Sequence, residues 1–216
     1  MEKKLMFFID FDGTVTCRDV CEAMIMQYAR PGWEELNRRW EEGTLSTVDC
    51  ARETLAMVTM SRAELAALAA SQQLDPGFPA FAAWARKQGY PVYILSDGYE
   101  DYIELILQKH GLEIPFYANK LRLGPDGWDI EAPYYNEKCG RCGACKSKLI
   151  LDLMDEHSTR VYIGDGYSDR CPVYLADMVF AKRSLADYCR RRSIPYRPFE
   201  DFRDIIKYLQ GEEKHD

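Results

Sequence analysis

Two aspartates separated by one residue, Asp10 and Asp12, follow an apolar run near the N-terminus. Side chains two apart on an extended chain share a face, so both carboxylates can point at one site. Neighbouring carboxylates repel each other and are tolerated where a cation or a divided acid and base role stabilises them. Gly13 allows the chain to turn, and Thr14 offers a hydroxyl and an N–H to an oxyanion. The complete pattern favours an active site over a simple Asp–Gly turn.

A second acidic segment runs from Gly164 to Asp169 and also follows a short apolar run. Mg²⁺ prefers oxygen ligands and usually takes one or two protein carboxylates together with water and phosphate. Asp165 is suited to be such a ligand. A glycine turn around Gly166 is the alternative explanation of this segment.

Two further positions could hold a phosphate group. Ser96 and Asp97 follow the apolar run 92–95, which puts a hydroxyl and backbone N–H groups at the end of a predicted strand. Lys146 lies at the start of a predicted helix, and both a cation and a helix N-terminus favour phosphate. Serines at strand ends and solvated lysines are common. Neither position indicates a phosphate site by itself, and each does so only in combination with the other motifs.

Three of the eight cysteines cluster at Cys139, Cys142 and Cys145. Thiolates at this spacing could bind Zn²⁺ with a fourth ligand from elsewhere, for which His157 and Cys171 are candidates. A loop of reduced thiols ordered by its glycines is the other interpretation, which the lack of a second cysteine pair favours. A disulfide framework is not expected in a reducing cytosol.

Apolar runs and helical periodicity alternate along the chain. Buried strands are predicted at 5–9, 92–95, 116–119, 161–163 and 179–181, with a turn at 124–127 that could join a hairpin. This alternation predicts an α/β fold with a doubly wound parallel sheet. Between the first two strands the pattern is only helical, and four short helices are expected there, two of them with capping boxes that begin at Ser46 and Ser61.

The bulk composition limits the possible partners. The 216 residues carry a formal net charge of −7, so neither nucleic acid nor anionic lipid is an expected partner. No apolar run reaches transmembrane length, and Asp10 breaks the N-terminal run, which argues against a secretory leader. We therefore expect a cytoplasmic protein that is a monomer or a homodimer.

The order of four motifs, centred on Asp10, Ser96, Lys146 and Asp165, resembles the haloacid dehalogenase-like (HAD) phosphatase superfamily. The resemblance covers nearly the whole chain. It implies a Rossmann-like sheet in which the strands before Asp10 and Asp165 are neighbours at the switch point, where such folds bind ligands.

The helical segment between the first two motifs resembles the C1 cap of the phosphoserine-phosphatase-like branch, subfamily IB. The resemblance implies a HAD-like core at 1–16 and 76–216 and an inserted helical cap at 17–75. In this family the cap closes over the core, excludes bulk water and supplies specificity.

The same resemblance implies a Mg²⁺-dependent hydrolase of a small phosphate monoester. Asp10 would attack phosphorus and become an aspartyl phosphate, while Asp12 would protonate the leaving oxygen and then activate water. The ion would be held by Asp10, the Asp12 carbonyl and Asp165. The remaining implied site residues are Thr14, Ser96, Asp97 and Lys146 for phosphate, Asp169 and Gly166 as supports, and Asp19 in the cap for the leaving group.

Several short segments are similar to the phosphatases of methionine salvage, which act on 2-hydroxy-3-keto-5-methylthiopentenyl-1-phosphate. These segments are Asp10 to Thr16, Thr44-Leu45-Ser46, Cys145-Lys146, Phe180-Ala181 and Asp201-Phe202. Sister branches share most of these features, so phosphoserine and phosphoethanolamine or phosphocholine are alternative substrates. Arg52 is near the position of the cap arginine that phosphoserine phosphatases use for the substrate carboxylate. Trp33 and Trp40 are expected to pack within the cap.

Two functions of other kinds stay open. A catalytically silent relative could bind a ligand or a metal through the cysteine cluster, although the intact set of Asp10, Asp12, Lys146 and Asp165 argues against it. A mutase would need a second phosphate site, which nothing in the sequence marks.

Overall fold

A seven-stranded sheet forms the centre of the protein. The computed structural model describes residues 4–125 and 127–211. Its strands are β1 (Leu5–Ile9), β2 (Val92–Tyr99), β3 (Phe116–Gly124), β4 (Gly127–Glu131), β5 (Thr159–Gly164), β6 (Met178–Ala181) and β7 (Arg197–Pro198). They are ordered β4-β3-β2-β1-β5-β6-β7, and all neighbours are parallel except the antiparallel β3–β4 hairpin. The predicted doubly wound parallel sheet is confirmed.

Helices surround this sheet. In the described ranges they are α1 (Val20–Tyr28), α2 (Trp33–Glu41), α3 (Thr47–Leu55), α4 (Arg62–Ser71), α5 (Phe78–Gln88), α6 (Glu100–Lys109), α7 (Lys146–Leu153), α8 (Arg183–Arg192) and α9 (Phe202–Leu209). Short helical turns follow β1 at 11–15 and β5 at 167–169 and 172–175. None of the described helices is both long and apolar enough to span a bilayer.

The central strand β1 is buried on both of its faces. Because successive side chains of a strand point in opposite directions, Phe7 and Ile9 enter one apolar layer and Met6 and Phe8 enter the other. The first layer includes side chains of α1, α5, α6 and α9, and the second includes side chains of α7 and α8. A continuous apolar run is the pattern of a strand covered by helices on both sides.

The predicted strands 92–95 and 116–119 are both longer in the structure. β2 continues through the predicted Ser96 position to Tyr99, and β3 continues to Gly124 because its second half pairs with β4 rather than with the parallel sheet. The predicted hairpin is therefore present, with Gly124 opposite Gly127, while Asp126 of its turn lies outside the described residues.

A block of four helices, α1 to α4, lies between β1 and β2, as expected from the sequence. Ser46 accepts a hydrogen bond from the N–H of Asp49, and Ser61 forms a complete capping box with Glu64. The two ends of this helical block meet at an antiparallel bridge between Thr16 and Leu74. The division into a core and a cap at 17–75 stays a prediction.

Candidate active site

The acidic residues of the first and last motifs meet at one edge of the sheet. β1 and β5 are parallel neighbours with Ile9 opposite Ile163, so Asp10 and Asp165 follow these strands at the same edge. One carboxylate oxygen from each of Asp10, Asp165 and Asp169 lies within 4.8 Å of the other two. The expected adjacency of the two motif-bearing strands is confirmed.

The ammonium group of Lys146 lies between two of these carboxylates. Its Nζ donates to Asp10 Oδ1 at 2.5 Å, to Asp169 Oδ1 at 2.6 Å and to Ser168 Oγ at 2.9 Å. Burial alone would lower the pKa of Lys146, but the charges of Asp10 and Asp169 raise it well above its usual value. The lysine is therefore a buried cation, and its removal would leave two buried carboxylates without their shared counter-charge.

The carboxylate of Asp169 is surrounded by donors. Its Oδ1 accepts from Lys146 and from the Tyr162 hydroxyl at 2.6 Å. Its Oδ2 accepts from the backbone N–H groups of Asp165 at 3.0 Å and Gly166 at 2.9 Å. Asp169 thus fixes both the lysine and the loop that carries Asp165.

Asp12 has a separate set of partners. Its Oδ1 accepts from the N–H of Val20 at 3.0 Å, and its Oδ2 accepts from the hydroxyls of Tyr102 at 2.7 Å and Ser96 at 3.2 Å. Burial and then the charge of Asp19 raise the pKa of Asp12 to about 7, although the hydrogen bonds oppose this. A carboxyl group with a pKa near neutrality can both donate and accept a proton.

Sequence reasoning missed Tyr102, which lies on α6. In the sequence it reads as one more apolar position of an amphipathic helix, and its ring is fully buried. Gly98 makes room for the contact with Asp12, because a Cβ there would lie 1.9 Å from the Tyr102 hydroxyl oxygen. The signal that could have found it is that a buried tyrosine hydroxyl needs a partner, and α6 begins directly after the motif at Ser96.

The turn after Asp12 leaves one buried hydroxyl without a partner. Gly13 has a φ of 75°, a region that favours glycine, and its N–H donates to Thr16 Oγ1 at 3.1 Å. Thr14 is fully buried, and its Oγ1 has no hydrogen-bond partner in the structure. An unpaired buried hydroxyl is costly, so this atom is suited to meet a polar ligand.

Asp97 faces the cysteine loop that leads to Lys146. Its Oδ1 accepts from the N–H of Ala144 at 3.0 Å and from Asn119 Nδ2 at 3.2 Å. Burial raises the pKa of Asp97. The side chain thus fixes the loop, and its expected contact with phosphate stays a prediction.

The clustered cysteines differ in their surroundings. Cys139 is exposed, Cys142 is half-buried, and Cys145 is buried at the residue before α7. Burial raises the pKa of Cys142 to about 12, which favours the thiol form. Among the described residues, the acidic group around Asp10 is the only set of three side chains close enough to share a metal ion. Both interpretations of the cysteine loop, a zinc site and a loop of reduced thiols, stay predictions.

The acidic group has the chemistry of a divalent-cation site. All of its donors are carboxylate oxygens, which suits a hard cation such as Mg²⁺. Burial and then the charge of Asp169 raise the pKa of Asp10 well above its usual value and that of Asp165 to about 6. Both carboxylates thus lack compensating charge even with Lys146 and Arg183 in contact, so the residues present fit a bound cation.

A cavity of about 500 Å³ lies between the helical block and the end of β2, and its lining includes Asp19, whose charge acts on Asp12. Its apolar and aromatic wall includes Met24, Ile25, Trp33, Trp40, Leu55 and Tyr99. Its acidic residues are Asp19, Glu22, Glu41 and Asp97, and no lysine or arginine of the described ranges lines it. Trp33 and Trp40, which were expected to pack within the cap, are both on this wall.

Two candidate residues of the helical block have clear positions. Asp19 lines the cavity, and its Oδ1 also accepts from the N–H of Glu22 at 2.8 Å as the N-cap of α1. Arg52 does not line the cavity, because it pairs with Asp49 at 3.3 Å and with Asp129 at 3.4 Å. The arginine expected for a phosphoserine carboxylate is thus directed elsewhere.

Comparisons with known proteins agree with this geometry. The family description "haloacid dehalogenase-like hydrolase" matches residues 7–171. A 2-hydroxy-3-keto-5-methylthiopentenyl-1-phosphate phosphatase from Brevibacillus brevis is 30% identical over 97% of both chains. A relative from Schizosaccharomyces pombe, named Pdp3-interacting factor 1, is 32% identical over 97% of this chain and 96% of its own. The chain belongs to the haloacid dehalogenase-like hydrolase family, and it is a phosphoric monoester hydrolase.

Solved structures show the same fold. A substrate-bound phosphoserine phosphatase complex superposes with a TM-score of 0.73 at 19% identity, covering 96% of this chain and 99% of the other. A phospho-aspartyl intermediate analogue of phosphoserine phosphatase gives 0.72 with the same identity and coverage. At this identity the likeness concerns the fold alone.

The close packing around Asp169 leads to a prediction about two glycines. A Cβ on Gly164 would lie 2.5 Å from Asp169 Oδ2, whereas one on Gly166 would meet nothing within 4 Å. Gly164→Ala should therefore displace the carboxylate that holds Lys146 and lower the free energy of unfolding by about 2–4 kcal/mol. Gly166→Ala, whose φ of −127° is open to alanine, should change it by less than about 0.5 kcal/mol. Urea unfolding of both variants measures the difference, and equal losses would contradict the described packing.

Proposed function

We propose that this phosphatase transfers the phosphoryl group of a small metabolite to Asp10 and then to water. The observation that carries the proposal is the buried Lys146 ammonium between Asp10 and Asp169, with Asp165 at the same edge. A lysine in this position aligns the attacking carboxylate and offers its charge to a phosphate that approaches the same edge. Attack by an Asp10 oxygen on phosphorus forms an acyl phosphate while the bond to the alcohol oxygen breaks.

Asp10, Asp165 and the Asp12 carbonyl would hold Mg²⁺, whose charge would offset the repulsion between a carboxylate nucleophile and a phosphate. Arg183 supports this arrangement from outside. Its Nη1 donates to Asp165 Oδ2 at 2.8 Å, and its Nη2 donates to the carbonyl of Cys17 at 3.1 Å. Arg183 therefore connects the loop of Asp165 to the start of the helical block.

Asp12 is the general acid and base of the proposed reaction. It gives its proton to the departing alcohol oxygen, then accepts one from the water that attacks the acyl phosphate. This second attack releases inorganic phosphate and restores the Asp10 carboxylate. Tyr102 and Ser96 hold Asp12 Oδ2, so the carboxyl group keeps one orientation through both steps.

The oxygens of the transferring phosphoryl group need donors that are already in place. Lys146 supplies a charged donor. The hydroxyl of Thr14, in the turn that follows Asp10, is buried without a hydrogen-bond partner among the described residues. Ser96 is fully buried at the same strand edge and its Oγ accepts from the N–H of Gly98 at 2.9 Å. We assign all three side chains to phosphate binding, with Asp97 as the residue that positions the loop before Lys146.

The cavity between the helical block and the end of β2 selects the alcohol, and Asp19 contacts it there. Aromatic and aliphatic side chains line the cavity together with four carboxylates and without any lysine or arginine among the described residues. An alcohol with a carboxylate would meet uncompensated negative charge there, whereas an uncharged alcohol with an apolar end would bury that end among Met24, Trp33 and Leu55. The substrate named for the Brevibacillus relative, 2-hydroxy-3-keto-5-methylthiopentenyl-1-phosphate, is an ester of this kind. We infer that this chain acts on it in the cytoplasm.

The composition of the cavity also favours a second candidate substrate. Aromatic rings combined with carboxylates attract a quaternary ammonium group. Trp33, Trp40 and Tyr99, together with Glu22 and Glu41, offer both features. Phosphocholine is therefore the alternative substrate to test beside the methylthio compound.

The proposed nucleophile can be tested with Asp10→Asn. This change keeps the size of the side chain but removes the attacking anion, so turnover should fall by at least about 10⁴-fold while the fold persists. Asp152→Asn is the matched control, because Asp152 is exposed on α7 and pairs only with Lys148. Acid quenching during turnover, followed by mass spectrometry, should find phosphate on the peptide with Asp10. Turnover near the wild-type rate in Asp10→Asn would refute the assignment.

The proposed metal site predicts a dependence on divalent cations. EDTA should abolish turnover and Mg²⁺ should restore it, whereas Ca²⁺ should restore it poorly because its looser coordination can engage both Asp10 oxygens. In the absence of substrate, Mg²⁺ should raise the melting temperature of the wild type and should not raise that of Asp165→Asn. Full activity after thorough chelation would contradict the proposal.

The proposed selectivity is tested by comparing three esters. The kcat/KM for 2-hydroxy-3-keto-5-methylthiopentenyl-1-phosphate should exceed that for O-phosphoserine by at least about 100-fold, since the cavity offers the serine carboxylate no cation. The kcat/KM for phosphocholine should lie between the values for these two esters. The double variant Glu22→Gln and Glu41→Gln should raise the kcat/KM for O-phosphoserine and so reduce the difference in kcat/KM between the two esters. A wild-type preference for phosphoserine would overturn the substrate assignment and leave the proposed chemistry at Asp10 intact.

A further inference from the structure

A second cavity, of about 260 Å³, shares three wall residues, Trp40, Thr47 and Asp97, with the first. Its lining comes from five separate segments: the connection between α2 and α3 with the adjoining helix ends, β2, the cysteine loop, the turn after β5, and α8. Three arginines are part of that lining, namely Arg141, Arg170 and Arg192. The two neighbouring cavities therefore differ in charge, one with acids alone and the other dominated by guanidinium groups.

None of these three arginines is in an ion pair within the described ranges, whereas Arg160 pairs with Asp177 and Arg203 pairs with Asp201. The one acidic residue that lines this cavity is Asp97, whose Oδ1 already accepts hydrogen bonds from Ala144 and Asn119. The positive charge is thus not neutralised locally, although the protein as a whole has a formal net charge of −7.

Of the three arginines, Arg170 is held in place by contacts with two tyrosine rings. Its guanidinium carbon lies 4.0 Å from the ring centroid of Tyr167 and 5.2 Å from that of Tyr188. Its Nε is buried and has no hydrogen-bond partner among the residues that the structure describes, which is a costly state for a donor. A stacked guanidinium keeps its plane, so its N–H edge is preorganised for two-point binding of an oxyanion.

Tyr188 also lies beside Arg192, whose guanidinium carbon is 5.8 Å from the same ring. Arg141 belongs to the loop before Lys146, and its carbonyl accepts from the N–H of Thr47 at 2.9 Å. An anion bound by Arg141 and Arg170 would therefore connect the helical block to the turn after Asp169.

We propose that this arginine cavity binds a second oxyanion, a phosphate, sulfate or carboxylate group distinct from the one that is hydrolysed. Ser168 lines the cavity and also accepts from Lys146, so the two anion sites would lie next to each other. The anion is either a free ion that fixes the helical block against the core or a second acidic group of a substrate other than the uncharged-alcohol ester proposed above.

Binding is measured on chelated protein with millimolar sodium sulfate, against sodium chloride of equal ionic strength. Without a divalent cation the carboxylates around Asp10 repel sulfate, so the result does not depend on the proposed function. Saturating sulfate should raise the melting temperature of the wild type by about 2–4 °C. Arg170→Met should abolish that rise, whereas Arg191→Met, an exposed position of α8 outside the cavity, should keep it.

Arg170→Met should fold normally, because it replaces a stacked side chain of similar length and removes a donor without a partner. Its melting temperature in chloride alone should match that of the wild type. Arg170→Lys keeps the charge but loses the two-point geometry, so it should retain only part of the sulfate effect.

Kinetics of the Mg²⁺-loaded enzyme distinguish the two sources of the anion. A rise in KM in Arg170→Met, with competitive inhibition by sulfate lost, assigns the site to a second acidic group of the substrate. An unchanged KM assigns it to a free ion. No sulfate effect on the wild-type melting temperature, or an equal effect in the wild type and Arg170→Met, would overturn the proposal.

Discussion

The rest of the site depends on the ion pairs that the Lys146 ammonium group forms with two buried carboxylates. Three carboxylates at one edge of the sheet could not be buried together without this positive charge, because each would face like charges in a medium that solvates them poorly. The two ion pairs join β1, the turn after β5 and the first residue of α7. The parallel order of the sheet, the two apolar layers and the cysteine loop all serve to bring that one ammonium group to that one edge.

The carboxylates of Asp10 and Asp12 are separated by one residue, yet they lie in different environments. Asp10 points towards Lys146 and the acidic group, whereas Asp12 points towards Tyr102, Ser96 and the first turn of α1. The carboxylate of Asp10 pairs with the Lys146 ammonium, whereas that of Asp12 accepts hydrogen bonds from neutral donors in a buried place. The two side chains thus find different partners after β1 ends, which supports the divided role proposed for the pair.

The sequence indicates Asp10, Lys146 and Asp165 because each follows or begins a regular element, and parallel strands bring their carboxyl ends to one edge. It does not indicate Tyr102 or Arg183, since a tyrosine on an amphipathic helix and an arginine after a strand have no local pattern that marks them. The arginine cavity is hidden for a related reason. Its three arginines belong to a loop, a turn and a helix end, which only the tertiary fold brings together. No spacing along the chain therefore indicates the proposed second anion site.

The antiparallel bridge between Thr16 and Leu74 has a consequence for the history of such chains. The chain enters and leaves the helical block at adjacent points, where the N–H of Cys17 donates to Gln73 and that of Asp75 donates to Val15. A segment whose ends already touch can be lengthened, shortened or exchanged with little change in the register of β1 and β2. Under the proposed function, new substrate preferences can therefore arise by replacement of this segment, while the residues assigned to phosphoryl transfer are inherited unaltered.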